Sequence, residues 1–493
     1  MRRSGYGLNQ YSEGKLGETG GFVVFKPWKD DGLEQVEDLK LGFRLYNCEA
    51  VLIRNTLEAN GLKETEGREQ WSLFWGAGML RSSLYLTLGK GQKVNHFPRS
   101  VEMTRKDSLF RNLAKMQALH TNRHYGFFPA TCLLPTDISV LSSRMAKHVG
   151  EVWILKPPAG SQGKGITLVH SMGEVPIGPN LVASLYVDRP LLVTGRKCDL
   201  RIYVAMTSVN PLRLYIYREG LARFAVLPYV STDLNNPFVH LTNYSVNKAH
   251  PLYASSACKW TLSAFKSHLS THLSINFSPI WSQIKSIVIK TVISIENTVN
   301  SAMEMYVPRR SNCFELLGFD VMLDEKLNVW LLEVNLSPSL RCDAEVDVEV
   351  KSRLVADLFT LIGVRKAGEA RELSISPSKR SARPTAASND LSIEGQMALK
   401  DTLEESRRMG NFERIFPSDD SQDYFQFFDE PRPLNALLLE YFVRKRHVPV
   451  PPRPIKLRPL ELPPRIPRLK RDLKTGSHEI GYSRSPAIGL RGA

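Results

Sequence analysis

The chain reads GFDVMLDEKLNVWLLEVN from residue 318 to residue 335. Two short apolar runs, 321–323 and 329–332, flank the polar turn 324–328. Apolar runs of this length around a polar turn are typical of two neighbouring antiparallel strands. The stretch therefore predicts a buried β-hairpin.

This hairpin carries three oxygen ligands, Asp320, Glu333 and Asn335, into apolar surroundings. Glu333 and Asn335 are two residues apart, so they project from one face of a strand. Two carboxylates and an amide on adjacent strands suit a hard divalent cation that also holds nucleotide phosphates. The alternative is a strand with a hydrogen-bonded carboxylate at its end, and the hairpin alone does not decide between the two.

A glycine-rich stretch, KPPAGSQGKGI from Lys156 to Ile166, directly follows the apolar run 152–156. Small residues let backbone N–H groups approach phosphates, and Lys156 and Lys164 add positive charge. No Lys-Ser/Thr pair follows the glycines, which excludes a Walker A loop. The loop alone is weak evidence for a nucleotide, but together with the hairpin it is strong.

Lys197, Asp199 and Arg201 alternate along another apolar stretch, so they project from one side of a strand. Two cations around a carboxylate are costly in a core but reasonable in a phosphate site.

Composition places the chain among ordinary globular proteins of two or three domains: it has 493 residues, of which 42% are hydrophobic and 23% charged. No apolar run is long enough to span a bilayer and no signal sequence is evident, so we expect neither secretion nor membrane insertion. The six cysteines form no C-x-x-C pair. This pattern favours free thiols in a reducing cytosol over a disulfide frame or a zinc site.

The net charge of +15 is unevenly distributed. Residues 431–493 contain fourteen Lys or Arg against four Asp or Glu, a net of +10. Such asymmetry indicates an acidic polymer as partner, namely nucleic acid, anionic lipid or an acidic protein tail. Charge alone does not choose among them.

Strands and helices alternate up to about residue 361, which predicts a mixed α/β (α+β) enzyme. The range 279–305 predicts a long helix with one buried face, with Ser278 as its N-cap. The range 366–390 has the composition of a flexible linker. A short helix is expected at 434–443.

Several segments resemble the tubulin tyrosine ligase-like enzymes, in order and at family spacing from about residue 40 to 365. They are NHFPRS (95–100), TRKD (104–107), KCDLR (197–201), GLARF (220–224), HLTNYSVNK (240–248) and LEVNLSPSL (332–340). Within that family the chain is most similar to the glutamate-adding branch. The resemblance implies an ATP-grasp fold with N-terminal, central and C-terminal subdomains.

We expect a flexible leader (1–39), followed by an N-terminal subdomain (40–125), a central subdomain (126–200) and a C-terminal subdomain with the metal site (201–365). A linker (366–410), a docking segment (411–430) and a disordered basic, Pro-rich tail (431–493) are expected to follow.

The resemblance also implies roles for individual residues. Lys156 and Arg201 would be catalytic, with Arg201 beside the transferring phosphoryl group. The backbone at 184–187 would meet the purine edge, the alternative being an edge strand. Cys198 stands where the family usually has Phe, and its side chain faces away from the site. The implied ATP-binding residues are Lys156, Gln162, Gly163, Lys164, Ser184, Leu185, Tyr186, Val187, Lys197, Cys198, Asp199, Thr242 and Asn243. The implied glutamate-binding residues are Arg223, Tyr244, Ser245 and Lys259, and the implied metal ligands are Asp320, Glu333 and Asn335.

The function implied by the resemblance is an ATP- and Mg²⁺-dependent ligase that adds free L-glutamate to glutamate side chains in the acidic tails of tubulin, through an acyl-phosphate. The alternatives are a glycine or tyrosine ligase of the same family and a catalytically silent microtubule-binding module. We expect a monomer in the cytoplasm on the microtubule cytoskeleton, including the cilium or basal body, with no nucleic-acid partner.

Overall fold

The computed structural model describes residues 22–28, 39–48, 50–67, 71–160, 163–365 and 391–442. Helices and strands are mixed throughout, which confirms the predicted α+β class. Within these ranges no helix is both long enough and apolar enough to cross a membrane.

The N-terminal part is a small parallel sheet in the order β2-β1-β3-β4. Its strands are β1 (Leu41–Tyr46), β2 (Leu62–Glu64), β3 (Leu73–Gly76) and β4 (Lys93–Val94). Its helices are α1 (Val51–Ala59) and α2 (Ser82–Leu86). Two further helices, α3 (Val101–Thr104) and α4 (Lys106–Tyr125), connect it to the central part.

The central part is an antiparallel sheet in the order β5-β8-β6-β7. It contains β5 (Thr131–Leu134), β6 (Trp153–Lys156), β7 (Thr167–Val169) and β8 (Leu181–Leu185), with α5 (Ile138–Lys147) and a 3₁₀ turn (Met172–Glu174). Ser184 and Leu185 end β8, which lies between β5 and β6. The alternative interpretation of this segment as an edge strand is therefore wrong for these two residues.

The main sheet is antiparallel in the order β12-β11-β10-β13-β14, with β15 pairing to β11 and β9 to β10. Its strands are β9 (Leu192–Val193), β10 (Arg196–Val209), β11 (Leu212–Phe224), β12 (Lys259–Thr261), β13 (Glu315–Leu323), β14 (Val329–Asn335) and β15 (Phe412–Phe416). The hairpin predicted at 318–335 is confirmed as β13 and β14.

Helices cover both faces of this sheet. They are α6 (Pro237–His240), α7 (Tyr244–Asn247), α8 (Ser255–Cys258), α9 (Leu262–Leu273), α10 (Phe277–Tyr306), α11 (Glu345–Ile362), α12 (Ile393–Ser406) and α13 (Pro433–Phe442), with 3₁₀ segments Arg310–Asn312 and Asp419–Phe427. The long predicted helix is present as α10, but its N-cap is Asn276, whose side chain accepts from the Ser278 N–H, so the prediction of Ser278 was wrong.

The alternation of β10 positions the site. Its even-numbered residues, such as Val204, join the apolar cluster that contains α10, and Tyr203 joins the cluster that contains α11. The α11 side of β10 also carries residues 197, 199 and 201, since side chains two apart share a face. On this side of β10, the charged residues 197, 199 and 201 are therefore followed along the strand by apolar residues that pack against α11.

Three expected boundaries need correction. Residues 22–28 do not belong to a leader, because Val23 N–H donates to Val364 O (2.8 Å) and Phe25 packs on Phe359 with ring centroids 5.4 Å apart. The linker does not extend to 410, because α12 is folded and buries Glu405 against the main sheet. The tail does not begin at 431, because α13 buries Leu438 and Leu439; residues 443–493 lie outside the described ranges.

Candidate active site

Charged side chains face one another across neighbouring strands of the main sheet. Asp199 on β10 is paired with Arg223 on β11, and Arg201 on β10 is paired with Asp320 on β13. Asp320 is in turn paired with Glu333 on β14. The strand register thus brings together candidates from four separate sequence segments.

A bulge in the hairpin makes the last of these pairings possible. The register shifts between Asp320 and Val321, because Val321 pairs with Leu331 whereas Asp320 pairs with Glu333. Without the extra residue, Glu333 would point to the opposite face.

Two guanidinium groups and two carboxylates form a buried network. Arg201 donates to Asp320 through Nε (2.5 Å to Oδ1) and Nη2 (3.0 Å to Oδ2). Arg223 Nη2 lies 2.8 Å from Asp320 Oδ2, and Arg223 also binds Asp199 through Nε (2.9 Å) and Nη2. The network is neutral overall, which makes its burial tolerable.

The two carboxyl groups of this network titrate differently. Burial raises the pKa of Asp320, but Arg201 and Arg223 outweigh burial and hold that pKa well below its usual range. Burial raises the pKa of Asp199 above its usual value, and Arg223 only partly opposes this. Asp320 is therefore the carboxylate that stays ionised most firmly.

The predicted metal ligands lie on the two strands of one hairpin. Glu333 Oε2 lies 3.1 Å from Lys106 Nζ, and Asn335 Nδ2 donates to Gly318 O (3.2 Å), which leaves the amide oxygen for a cation. This donor set fits Mg²⁺, which takes one or two carboxylates and leaves other positions to phosphates and water. The described residues contain no group of three or more His, Cys, Asp or Glu that could hold a metal ion.

Lys106 is a site residue to which the sequence assigned no role, although its motif was recognised. Its backbone N–H donates to Pro158 O (3.2 Å) and its Nζ donates to Gly160 O (3.1 Å). Because Nζ also pairs with Glu333, Lys106 links the glycine-rich loop to the candidate metal ligand.

The second half of the glycine-rich loop lies against the segment around Asn243. Gly163 has φ +75°, and a Cβ there would lie 2.8 Å from Val246 Cγ2 and 3.3 Å from Asn243 Oδ1. Only glycine fits both this conformation and this approach. Gln162, the other residue predicted to close the loop, lies outside the described residues.

Neighbouring positive charge lowers the pKa of both Lys156 and Lys197. Burial, and then the charge of Lys106, lower the pKa of Lys156 against the opposing effect of Glu333. Burial and the charge of Lys156 lower the pKa of Lys197 to about 7. Ammonium groups that repel one another in this way are stabilised by a bound anion.

The backbone after β8 is less open to a ligand than its sequence indicates. The N–H groups of Leu185 and Tyr186 donate to Ala130 O (2.7 Å) and Val152 O (2.8 Å). Leu185, Tyr186 and Val187 nevertheless line a cleft of about 320 Å³, opposite Trp330 and the turn of the hairpin. Any purine contact here therefore depends on carbonyl groups and on Val187. Ser184, within β8, has its hydroxyl bonded to that of Thr131 (2.9 Å).

The residues predicted for the amino-acid pocket lie beside Arg223. Lys259 on β12 is its strand partner, and Lys259 Nζ pairs with Asp347 Oδ2 (2.6 Å). Lys351 Nζ lies 2.9 Å from Asp347 Oδ1, so one carboxylate faces two ammonium groups. The excess positive charge suits a substrate carboxylate.

Asp347 was missed by the sequence reasoning. Its only local signal is the i,i+4 spacing to Lys351 on α11, which is common on exposed helix faces. Around the same pocket, the ring of Tyr244 lies 5.1 Å from Lys259 Nζ and 5.5 Å from Lys248 Nζ.

The remaining candidates are placed as follows. Thr242 and Asn243 directly precede α7, in which Ser245 follows Tyr244. Lys164 is exposed, next to Gly163. Cys198 lies in the apolar cluster on the other face of β10, where burial raises the pKa of its thiol to about 12.

Comparison with known proteins shows the family of the chain. The model of the tubulin-tyrosine ligase family matches residues 86–371. The chain belongs to this family. The matched range contains Lys106, every candidate site residue and Asp347, so the site lies wholly within the family's domain.

Named relatives cover more of the chain. Mouse tubulin polyglutamylase TTLL5 is 35% identical over 85% of this chain and 35% of its own length. Human tubulin monoglutamylase TTLL4 is 36% identical over 79% of this chain and 36% of its own length. Human tubulin polyglutamylase TTLL6 is 34% identical over 83% of this chain and 48% of its own length. The chain thus spans about a third of the length of the first two relatives.

Proposed function

We propose that this protein is an ATP-dependent ligase that adds glutamate to glutamate side chains in the acidic C-terminal tails of tubulin. The observation that carries the proposal is the meeting of Arg201, Asp320 and Glu333 across three strands. Beside them, Lys106 joins the glycine-rich loop to Glu333. The names of the relatives, which are tubulin polyglutamylases and a tubulin monoglutamylase, support the acceptor and the amino acid.

In the proposed reaction, the acceptor carboxylate attacks the γ-phosphorus of ATP, and the bond to ADP breaks. The amine of free glutamate then attacks the carbonyl carbon of the acyl-phosphate and loses a proton, and phosphate leaves as the amide forms. Lys156 and Arg201 offset the negative charge that gathers on the transferring phosphoryl group. Asp320, Glu333 and Asn335 would hold Mg²⁺, which supplies positive charge to the phosphates when bound.

Glutamate is favoured over glycine by the positive charge near Arg223. Glutamate has two carboxylates, whereas glycine has one. The two positive charges of Lys259 and Lys351 exceed the single negative charge of Asp347, which leaves positive charge for a second substrate carboxylate. The intact Arg201–Asp320 pair argues against a catalytically silent module. We propose that the protein acts as a monomer on cytoplasmic microtubules, including those of the cilium or basal body.

The test is to incubate the purified chain with ATP, tubulin and glutamate, glycine or tyrosine in turn. We expect mass spectrometry to find added glutamate on the tails and ADP release that depends on the tails. Tubulin stripped of its C-terminal tails is the control. Equal ADP release with stripped tubulin, or preferential addition of glycine or tyrosine, would contradict the proposal.

A further inference from the structure

The phenolic hydroxyl of Tyr186 connects three separate segments. Lys197 Nζ donates to Tyr186 Oη (2.7 Å), and the same oxygen lies 2.9 Å from His240 Nδ1. All three side chains are buried. They come from β10, from the residues after β8 and from α6, so this hydroxyl joins the nucleotide-side strand to the segment that leads into Asn243.

The other nitrogen of His240 fixes the direction of these hydrogen bonds. His240 Nε2 lies 2.7 Å from the backbone carbonyl of Asp233, which only accepts, so Nε2 carries the proton. Burial lowers the pKa of His240, which favours the neutral ring with Nδ1 as an acceptor. Tyr186 must then donate to Nδ1, and its lone pair remains directed to Lys197.

Lys197 contacts the Tyr186 side chain in two ways. Its ammonium lies over the Tyr186 ring, 4.1 Å from the centroid, and donates to the hydroxyl of the same side chain. Burial and Lys156 both disfavour its charged form, and Asp199 supports it. The groups that face Lys197 are Lys156 on β6, Cys198 and Asp199 on β10, Tyr186 after β8 and His240 on α6. Tyr229 and Asp188 act in turn on the Tyr186 hydroxyl, and Tyr229 is also within hydrogen-bond reach of it.

We propose that Tyr186 and His240 together act as positioning residues that keep Lys197 as an ammonium group for a nucleotide phosphate. This inference rests on the proposed function, because resemblance to the ligase family is what assigns Lys197 to the nucleotide. A hydroxyl held in one orientation by His240 stabilises the charged amine by accepting from it. Without that acceptor, Lys197 loses its proton at a lower pH.

A bound phosphate raises the pKa of Lys197, so the pH dependence of ATP binding reports on this role. Affinity is highest below the pKa of the free chain, about 7, and falls as pH rises above it. Tyr186→Phe keeps the ring and the backbone but removes the hydroxyl. We expect its affinity for ATP to be close to wild type at pH 6 and about 10-fold weaker at pH 8.

The measurement is isothermal titration calorimetry of the full chain with ATP between pH 6 and pH 9. His240→Leu should behave like Tyr186→Phe, and His240→Asn, whose amide oxygen can accept near the Nδ1 position, should recover part of the affinity. Tyr85→Phe is the matched control, since it removes another buried hydroxyl, one that donates to His96 O (3.0 Å). An equal loss at every pH in Tyr186→Phe would mean that the hydroxyl only supports the fold, and would overturn the inference.

A second measurement separates this inference from the proposed function. Labelling of Lys197 by an amine-reactive reagent, followed by mass spectrometry across pH without nucleotide, reports its protonation directly. We expect the midpoint to move to lower pH in Tyr186→Phe. An unchanged midpoint overturns the inference, whereas a shifted midpoint in a chain that binds no ATP supports the coupling and refutes the proposed function.

Discussion

Arg201 and Asp320 lie directly opposite each other on β10 and β13 and share two hydrogen bonds, of 2.5 and 3.0 Å. The group predicted to stabilise the transferring phosphoryl therefore also binds a predicted metal ligand. Both side chains are buried, and breaking a buried ion pair costs about 3–5 kcal/mol. Substitution of either residue would lower activity both by destabilising the fold and by removing a group from the site. Substitution of a more exposed site residue separates these two effects.

Glu333→Gln provides that test, because its side chain is 22% exposed and its partner Lys106 is also near solvent. The change keeps the shape but removes a charged oxygen from the candidate metal site. We expect ligase activity to fall by at least about 10²-fold with the melting temperature nearly unchanged.

The matched control for Glu333→Gln is Glu151→Gln. Glu151 is 23% exposed and pairs with Arg144 at 3.0 Å. Arg144 lies on α5, which carries no candidate site residue, so the activity of Glu151→Gln should be unchanged. Near-normal turnover in a folded Glu333→Gln protein would refute the ATP-grasp assignment.

Arg223→Ala should affect more than glutamate. The sequence alone predicts a raised KM for glutamate with ATP binding unchanged, but Arg223 also pairs with Asp199 and Asp320. We expect the KM for glutamate to rise by about 10-fold or more and the KM for ATP to rise several-fold, since both carboxylates lose a cation. Steady-state kinetics with each substrate varied in turn measures the two effects.

Arg218→Ala, on the same strand but 56% exposed, is the control and should leave both constants unchanged. An unchanged KM for ATP in Arg223→Ala would indicate that Asp320 keeps its geometry through Arg201 alone. Equal losses for both substrates would indicate a structural role.

Lys197→Met should stabilise the fold at low pH while it weakens nucleotide binding. The folded pKa of Lys197, about 7, lies below its unfolded value of about 10.4. The wild type is therefore penalised below pH 7, where the buried amine must carry a charge, and the penalty fades as pH rises towards the unfolded value. We expect the urea midpoint of Lys197→Met to exceed that of the wild type at pH 6 and the gap to narrow by pH 9.

For this comparison Lys115→Met is the control, since Lys115 is exposed and pairs with Asp429 on the surface. A gap between Lys197→Met and wild type that is constant across pH would show that Lys197 does not titrate in this range.

The C-terminal boundary can be tested by two truncations. A cut after Glu430 removes Arg432, which binds buried Glu296 through Nε (2.9 Å) and Nη2 (3.0 Å), and Asn435, which accepts from Leu212 N–H (2.7 Å). We expect this protein to be destabilised by several kcal/mol. A cut after Phe442 leaves these contacts intact and should keep the wild-type melting temperature.

The shorter deletion is then the proper test of the basic tail. Residues 443–493 contain thirteen Lys or Arg against three Asp or Glu. We expect the cut after Phe442 to weaken microtubule co-sedimentation and to flatten its salt dependence, because exposed charges act through a screened attraction. Turnover on a short tubulin-tail peptide should stay within about twofold; loss of that turnover with pelleting unchanged would refute this division of roles.

The sequence by itself determined the features that local periodicity encodes. The alternation of Lys197, Asp199 and Arg201 and the two apolar runs around a turn predicted strands and the faces of their side chains, because a period of two is a property of the extended backbone. Fixed motif spacing was enough to indicate the family.

Only the tertiary structure decided which charges meet. Asp347 reaches Lys259 from a helix 88 residues further along the chain, and α12 and α13 return to the main sheet from beyond residue 390. Arg223 was predicted to bind a substrate carboxylate, yet in the structure it pairs with Asp199 and Asp320. Such pairings follow from strand register and helix packing between distant segments, and no local pattern of residues records them.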